Sequence, residues 1–355
     1  MSRPMLRLAL VGFGHVARRF VRLLDEVDER LEFDWQIAAI ATRRHGSVVD
    51  GDGVDGARAA ATVEAGLGLE RLDPAPRERS GIDLIRQVTG DFAEDAADGR
   101  LVVVETTLLD IERGEPATAH VRASLEGQAH VVSANKGPVA FAWHELDARA
   151  RAVDRRYLFE GAVMDGIPVF NLVRETMPAV DVQAFRGVIN STCNFVLSAL
   201  ERGQELDEAV ADMQARGIAE ADPSLDLDGW DAAAKTAALV NVLMGGRLTP
   251  HDVARTGIGE VGGRDVRDAV AQGRRIRLVA SAARRPGGAV EARVEPELLD
   301  RHDPLAGLTD TENALYLETD LLGEVGIVQR TGTLTQTAYA LLSDLTRVSR
   351  GLPES

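Results

Sequence analysis

Leu6-Arg7-Leu8-Ala9-Leu10-Val11-Gly12-Phe13-Gly14-His15-Val16-Ala17 is the stretch that decides the fold of this 355-residue chain. A short, mostly apolar run ends in a glycine turn, and residues 18–24 then carry apolar side chains at helical spacing. Strand, glycine turn and helix in that order open a dinucleotide-binding βαβ unit. Gly12 and Gly14 permit a tight turn and close backbone approach to a pyrophosphate, and the helix start aims its free N–H groups at that anion.

Working outward, the pattern predicts strands at 36–42, 101–105 and 130–134, with a helix at 115–126. Strands alternating with helices imply a parallel, doubly wound sheet. Residues 47–66, rich in Gly, Asp and Ala, read as an exposed excursion leading into a helix. From about Tyr157 the pattern changes: strand-like segments at 157–160, 182–189, 276–280 and 314–319 alternate with long helical stretches at 206–216 and 229–244. The expectation is a Rossmann-type domain over 1–155, completed by a helix within 320–355, and an α+β domain over 156–319. Residues 335–347 are expected to form the helix that returns to the first domain.

Composition narrows the function classes. A formal net charge of −16 repels phosphate backbones and anionic lipid, so neither nucleic acid nor a membrane surface is an expected partner. No apolar stretch approaches the roughly 20 residues needed to span a bilayer, and the N-terminus runs directly into the first strand pattern without a leader-like segment. The single cysteine, Cys193, fits a reducing compartment, and a cytoplasmic location is expected. The length suggests two domains.

Of forty cationic side chains only two are lysines, Lys136 and Lys235. Guanidinium stays charged under all ordinary conditions, whereas an ammonium group can give up and regain a proton. Lysine retained at two places in so arginine-biased a chain marks both as candidate chemistry. Lys136 follows the strand at 130–134 directly, and ligands of open α/β sheets gather at carboxyl ends of strands. Lys235 lies four residues after Asp231 on an otherwise apolar helix, which places an acid–base pair on one face. Glu220, Asp222 and Asp226 crowd the preceding segment, where carboxylates could receive a substrate ammonium group. At the end of the second strand, Ala41-Thr42-Arg43-Arg44-His45 lacks the acid that would bind a ribose 2′-hydroxyl. NADP is therefore expected over NAD, with Arg43 and Arg44 as phosphate contacts.

These segments together resemble homoserine dehydrogenases. The residues that carry the likeness are Gly12 to Ala17, Val131-Val132-Ser133-Ala134-Asn135-Lys136-Gly137-Pro138, Glu160 to Pro168, Gly187-Val188-Ile189-Asn190-Ser191-Thr192-Cys193-Asn194-Phe195 and the block from Glu220 to Lys235. The resemblance implies NAD(P)-dependent interconversion of L-aspartate 4-semialdehyde and L-homoserine, on the route to threonine, isoleucine and methionine. Carried over by position, Lys235 is the proton donor, Asp231 its partner, and Lys136 faces cofactor and substrate. Glu220 and Asp226 hold the substrate, and Gly12, Phe13, Gly14, His15, Val16, Thr106 and Ser133 line the cofactor. The resemblance also implies a homodimer joined through the second domain's sheet, and a monovalent cation held at Glu160, Val163, Asp165 and Ile167. The chain departs from the family at Met164-Asp165, where small residues are common. It departs again at Arg330-Thr331-Gly332-Thr333-Leu334-Thr335, where a Gly-Ala-Gly run is usual. Too little chain follows the last helix for an amino-acid-sensing domain, so feedback control through one is not expected. Two other readings remain at this point: an aldehyde dehydrogenase with Cys193 as nucleophile, which needs a base beside the thiol, and a catalytically silent NADP-binding sensor.

Overall fold

A computed structural model describes residues 3–215 and 223–352. The chain divides into two units, Met1–Pro168 with Thr333–Ser355, and Val169–Gly332.

The first unit is built on six strands: β1 (Met5–Val11), β2 (Asp34–Ala41), β3 (Ser47–Val49), β4 (Leu101–Glu105), β5 (His130–Ser133) and β6 (Tyr157–Leu158). Their spatial order is β3-β2-β1-β4-β5-β6. β1 lies between β2 and β4, parallel to both, and the parallel pairing continues through β5 to β6. The order therefore reverses direction at β1 and β4, the place where open α/β sheets bind ligands. Strands buried on both faces explain the unbroken apolar runs: Val102, Val103 and Val104 are fully buried. One face packs against the helices His15–Val27 and Leu334–Ser349 through Phe20, Leu24, Leu341 and Leu345. The other packs against Gly81–Asp91 through Leu84, Ile85 and Val88.

Three expectations are corrected here. The sheet is not wholly parallel, because β3 runs antiparallel to β2. Residues 47–49 are a buried strand rather than exposed excursion, since Ser47, Val48 and Val49 pair with Ala41, Ile40 and Ala39 and fill the sheet edge. The break between units falls at Pro168 and Gly332, not at 155 and 320. Residues 157–158 pair with β5, which keeps that segment in the first sheet. The later break lies at a capping box in which Thr333 and Gln336 start the final helix by reciprocal hydrogen bonds. That helix does return to the first unit, packing on His15–Val27.

The second unit carries β7 (Val182–Val188), β8 (Ala254–Arg255), β9 (Arg274–Arg284), β10 (Val290–Asp300), β11 (Asn313–Thr319) and β12 (Gly323–Gln329). Their order is β12-β11-β7-β9-β10-β8, antiparallel throughout except for the short β8–β10 pair. Residues 320–332 belong here because β12 pairs with β11 along its whole length. The helices Ser191–Glu201, Trp230–Leu243 and Gly263–Ala271 pack on β9, with Trp230–Leu243 reaching β10 as well. Helix 230–243 is apolar nearly all round, with Ala232, Ala233, Ala234, Ala237, Ala238, Leu239 and Val240 buried, so its two charged residues are set in a low-dielectric wall.

Candidate active site

In the first unit the glycine turn is locked by backbone. Gly12 adopts φ +91°, and a Cβ placed there would lie 2.6 Å from the Thr106 carbonyl carbon and 2.8 Å from the Thr107 nitrogen. Glycine is thus required twice over, by conformation and by space. The Gly12 N–H donates to the Ala41 carbonyl at 2.9 Å, the Thr106 N–H to Val11 at 2.8 Å, and the Thr106 hydroxyl to the Gly12 carbonyl at 3.0 Å. The carboxyl ends of β1, β2 and β4 are laced together at the turn. Gly14 caps the His15–Val27 helix without a side chain of its own and has open space where a Cβ would be. The exposed helix start at Gly14 and His15, with Val16 half-buried behind, is a cradle that fits a pyrophosphate. Phe13 is buried beneath it.

Arg43 and Arg44 lie exposed in the turn closed by the Thr42 N–H donating to the Gly46 carbonyl at 2.9 Å. Neither makes a hydrogen bond or ion pair among the described residues, so both guanidinium groups are available to an anion.

Lys136 is the first residue of the helix Lys136–Ala152, whose cap Asn135 accepts from the Gly137 N–H at 2.9 Å. Beneath it lies a residue that sequence reasoning missed. Glu105, at the end of β4, is fully buried. Its carboxylate accepts from the Thr107 N–H at 3.1 Å, from the Thr107 hydroxyl, and from the Ser133 hydroxyl at 3.3 Å, with His120 Nδ1 at 3.5 Å. The Ser133 oxygen in turn accepts from the Asn135 N–H at 3.0 Å, and the Asn135 amide donates to the Thr107 carbonyl at 2.9 Å. Glu105 thereby fixes the segment from which Lys136 springs. The available signal was an acid closing an otherwise apolar strand, Leu101-Val102-Val103-Val104.

The loop suggested for a cation forms a tight turn in the first unit. Glu160 and Val163 are buried, Asp165 takes φ +49°, and its carboxylate accepts from Thr337 at 3.0 Å. The Glu160 N–H donates to buried Asp344 at 2.8 Å, and Ile167 N–H to the Met164 carbonyl at 2.9 Å. Among the described residues no group of three or more His, Cys, Asp or Glu could hold a metal ion.

In the second unit the predicted pair forms: Lys235 Nζ lies 3.0 Å from Asp231 Oδ2, with side chains only 15% and 14% exposed, and donates also to the Ile189 carbonyl at 2.8 Å. Asn190, quoted above for its motif but not as a site residue, stands at the centre. Its amide nitrogen donates to Asp226 at 2.6 Å and to Asp231 at 2.8 Å. Its oxygen accepts from the Cys193 N–H at 2.8 Å and caps the helix. Glu220 lies outside the described residues. Cys193 is buried and its thiol donates to the Asp226 carbonyl at 3.1 Å. Burial pushes its pKa well up, and Asp226 and Asp231 add to the shift. A thiol so held is a poor nucleophile, which removes the basis for the aldehyde dehydrogenase reading.

A glycine turn at a reversing strand order and a sequestered Asp–Lys pair in a separate unit define the class of two-domain nicotinamide-dinucleotide oxidoreductases. The family model described as homoserine dehydrogenase matches residues 168–346. An NAD(+)-dependent homoserine dehydrogenase of Pseudomonas canavaninivorans is 35% identical over 346 residues, covering 96% of each chain. The homoserine dehydrogenase of Methanocaldococcus jannaschii is 32% identical over 96% of this chain and 98% of its own length. The chain belongs to the homoserine dehydrogenase family. Among solved structures, a hyperthermophilic archaeal homoserine dehydrogenase in complex with NADPH superposes with TM-score 0.80 at 25% identity, over 99% of both chains. A homoserine dehydrogenase from Thiobacillus denitrificans gives 0.77 at 28% identity, over 98% of this chain and 74% of that one. No helix among the described residues is long and apolar enough to cross a membrane.

Proposed function

We propose that the chain interconverts L-homoserine and L-aspartate 4-semialdehyde with Lys235 as the general acid and base. The observation that carries this reading is an ammonium group held against a carboxylate with both side chains largely out of water. An acid so placed protonates the forming alkoxide when the aldehyde is reduced, and takes the hydroxyl proton in the reverse direction. Asp231 orients the ammonium. Asp226, whose carboxylate faces the same amide, receives the substrate's own ammonium group, and Glu220 is proposed as its companion. Bound nicotinamide dinucleotide supplies or accepts the hydride. Gly12, Phe13, Gly14, His15, Val16, Thr106 and Ser133 hold it, and Lys136 contacts both it and the substrate.

NADP is the proposed cofactor, with Arg43 and Arg44 on the 2′-phosphate; their lack of internal partners supports this. The relative named as NAD(+)-dependent marks the competing preference within the family. A monovalent cation at the backbone oxygens of Glu160, Val163, Asp165 and Ile167 would stiffen their loop. The second sheet leaves one face open, where Arg186, Arg285 and Arg293 intermix with Glu291, Glu297, Glu318 and Glu324. A second copy of the chain, offering the same mixed charges, is proposed to cover it as a homodimer, and a cytoplasmic location is proposed with it.

The test is direct. Homoserine is incubated with NADP or NAD, and the reduced cofactor is followed by absorbance. The reading expects turnover with both substrates present and a lower KM for NADP. Replacing Arg43 and Arg44 with alanine should raise the NADP KM at least tenfold and leave that for NAD unchanged; equal effects on both would remove the arginines from the phosphate site.

A further inference from the structure

We infer that Asn190 is a positioning residue whose amide bridges Asp226 and Asp231, fixing both the carboxylate that receives the substrate's ammonium group and the charge state of Lys235. This rests on the proton-transfer reading of Lys235 and goes beyond it.

Asn190 is 3% exposed, so its hydrogen bonds form away from water, where an unmet donor is costly. Its orientation is settled by its partners. The oxygen must face the Cys193 N–H, and the nitrogen then presents its two hydrogens to two carboxylates. The flipped amide would aim a carbonyl at both anions. The result is a chain of contacts, Asp226 to Asn190 to Asp231 to Lys235, in which a neutral group separates like charges and stabilises each as an anion. Residue 189 contributes the carbonyl that accepts from Lys235, so one turn of backbone sets the ammonium from two sides.

The groups facing this array are Asp226 and Asp228 from the segment before the long helix, Asp231 and Lys235 on that helix, and the Cys193 thiol on the helix that Asn190 caps. Among the described residues, three carboxylates and one ammonium face one another, and the array is sensitive to one further charge. Asn190→Asp is nearly isosteric and keeps the cap, but places a carboxylate where two others now meet an N–H donor. Asn190→Ser also keeps a good helix cap and deletes both bridges without adding charge.

Two lysines in the chain give a readout free of substrate: lysine labelled with 13C and 15N at the side-chain end yields two signals, separated by Lys136→Arg. In Asn190→Asp the Lys235 pKa should rise by about one unit or more, from one new charge at close range in a partly buried site. The low-pH limb of kcat/KM for homoserine should move upward with it. Asn190→Ser should lose at least tenfold in kcat/KM while keeping its NADPH Kd. If both folded variants keep the parent's Lys235 titration, pH profile and rates within twofold, and differ only in melting temperature, the amide is merely a helix cap and the inference is overturned. A parent enzyme inactive on homoserine would instead strike the substrate assignment, and the lysine titration would still decide the bridge.

Discussion

Arg277 is the largest fully buried side chain in the protein as described, and its removal should be the most damaging single change in the second unit. Its guanidinium lies 2.6 Å from Glu201, the last residue of the helix that Asn190 begins. It also donates to Ile276 at 2.8 Å, to Leu308 at 2.6 and 3.0 Å, and to Ala306 at 3.3 Å. Arg277→Met keeps much of the volume but strands a carboxylate that is 14% exposed, and takes the donors from the Leu308 and Ala306 carbonyls. Breaking a buried pair by deleting one partner costs about 3–5 kcal/mol. Arg275, 3.5 Å from the same carboxylate, recovers part of that, so about 3 kcal/mol is expected. The pair deleted together, with Glu201→Met added, should cost less than the sum of the two single changes by about 1–3 kcal/mol. Trp230 is in the second unit and Trp35 and Trp143 in the first. Urea unfolding followed by fluorescence of a Trp35→Phe, Trp143→Phe background therefore reports the second unit alone. A loss below about 1 kcal/mol for Arg277→Met, or strict additivity in the cycle, would refute the reasoning.

Other outcomes follow from the same structure. Gly12→Ala forces a Cβ onto Thr106 at 2.6 Å in a backbone region hostile to L side chains; NADP affinity by calorimetry should fall at least tenfold, and an unchanged Kd would contradict the locked turn. His130 is held down to about 4 by burial, with Arg155 and Arg156 adding to the shift. Its neutral form is favoured in the fold, so the unfolded chain takes the proton first, and stability is lost as pH falls from about 6.5 to about 4. The loss is at most about 3 kcal/mol. His130→Asn should flatten the stability profile in that window, and denaturation curves with the parent's slope would show the histidine is not its source.

Much of the first unit was legible because buried parallel strands write themselves as apolar runs: residues 101–105 and 130–134 match β4 and β5 to within a residue. β10 was not legible. One face of it is open, so Glu291, Arg293 and Glu297 interrupt its apolar positions and the segment reads as polar surface. β12 hides behind a start of Gly323-Glu324-Val325-Gly326. The same contrast holds in the site. Asp231 and Lys235 are near in sequence, and helical spacing alone puts them together. Asn190 meets its carboxylates across 36 and 41 residues, and Glu105 meets Ser133 across 28, distances over which no local pattern speaks. Glu105 ends a strand and Asn190 lies two residues beyond one, where a polar residue ordinarily signals no more than a turn.

Proton delivery by Lys235 is the central step, and steady-state kinetics of Lys235→Ala measures it most directly. Aspartate semialdehyde reduction by the variant should slow by about 10²–10⁴-fold, while its NADPH Kd matches the parent. Turnover within twofold of the parent would contradict the account.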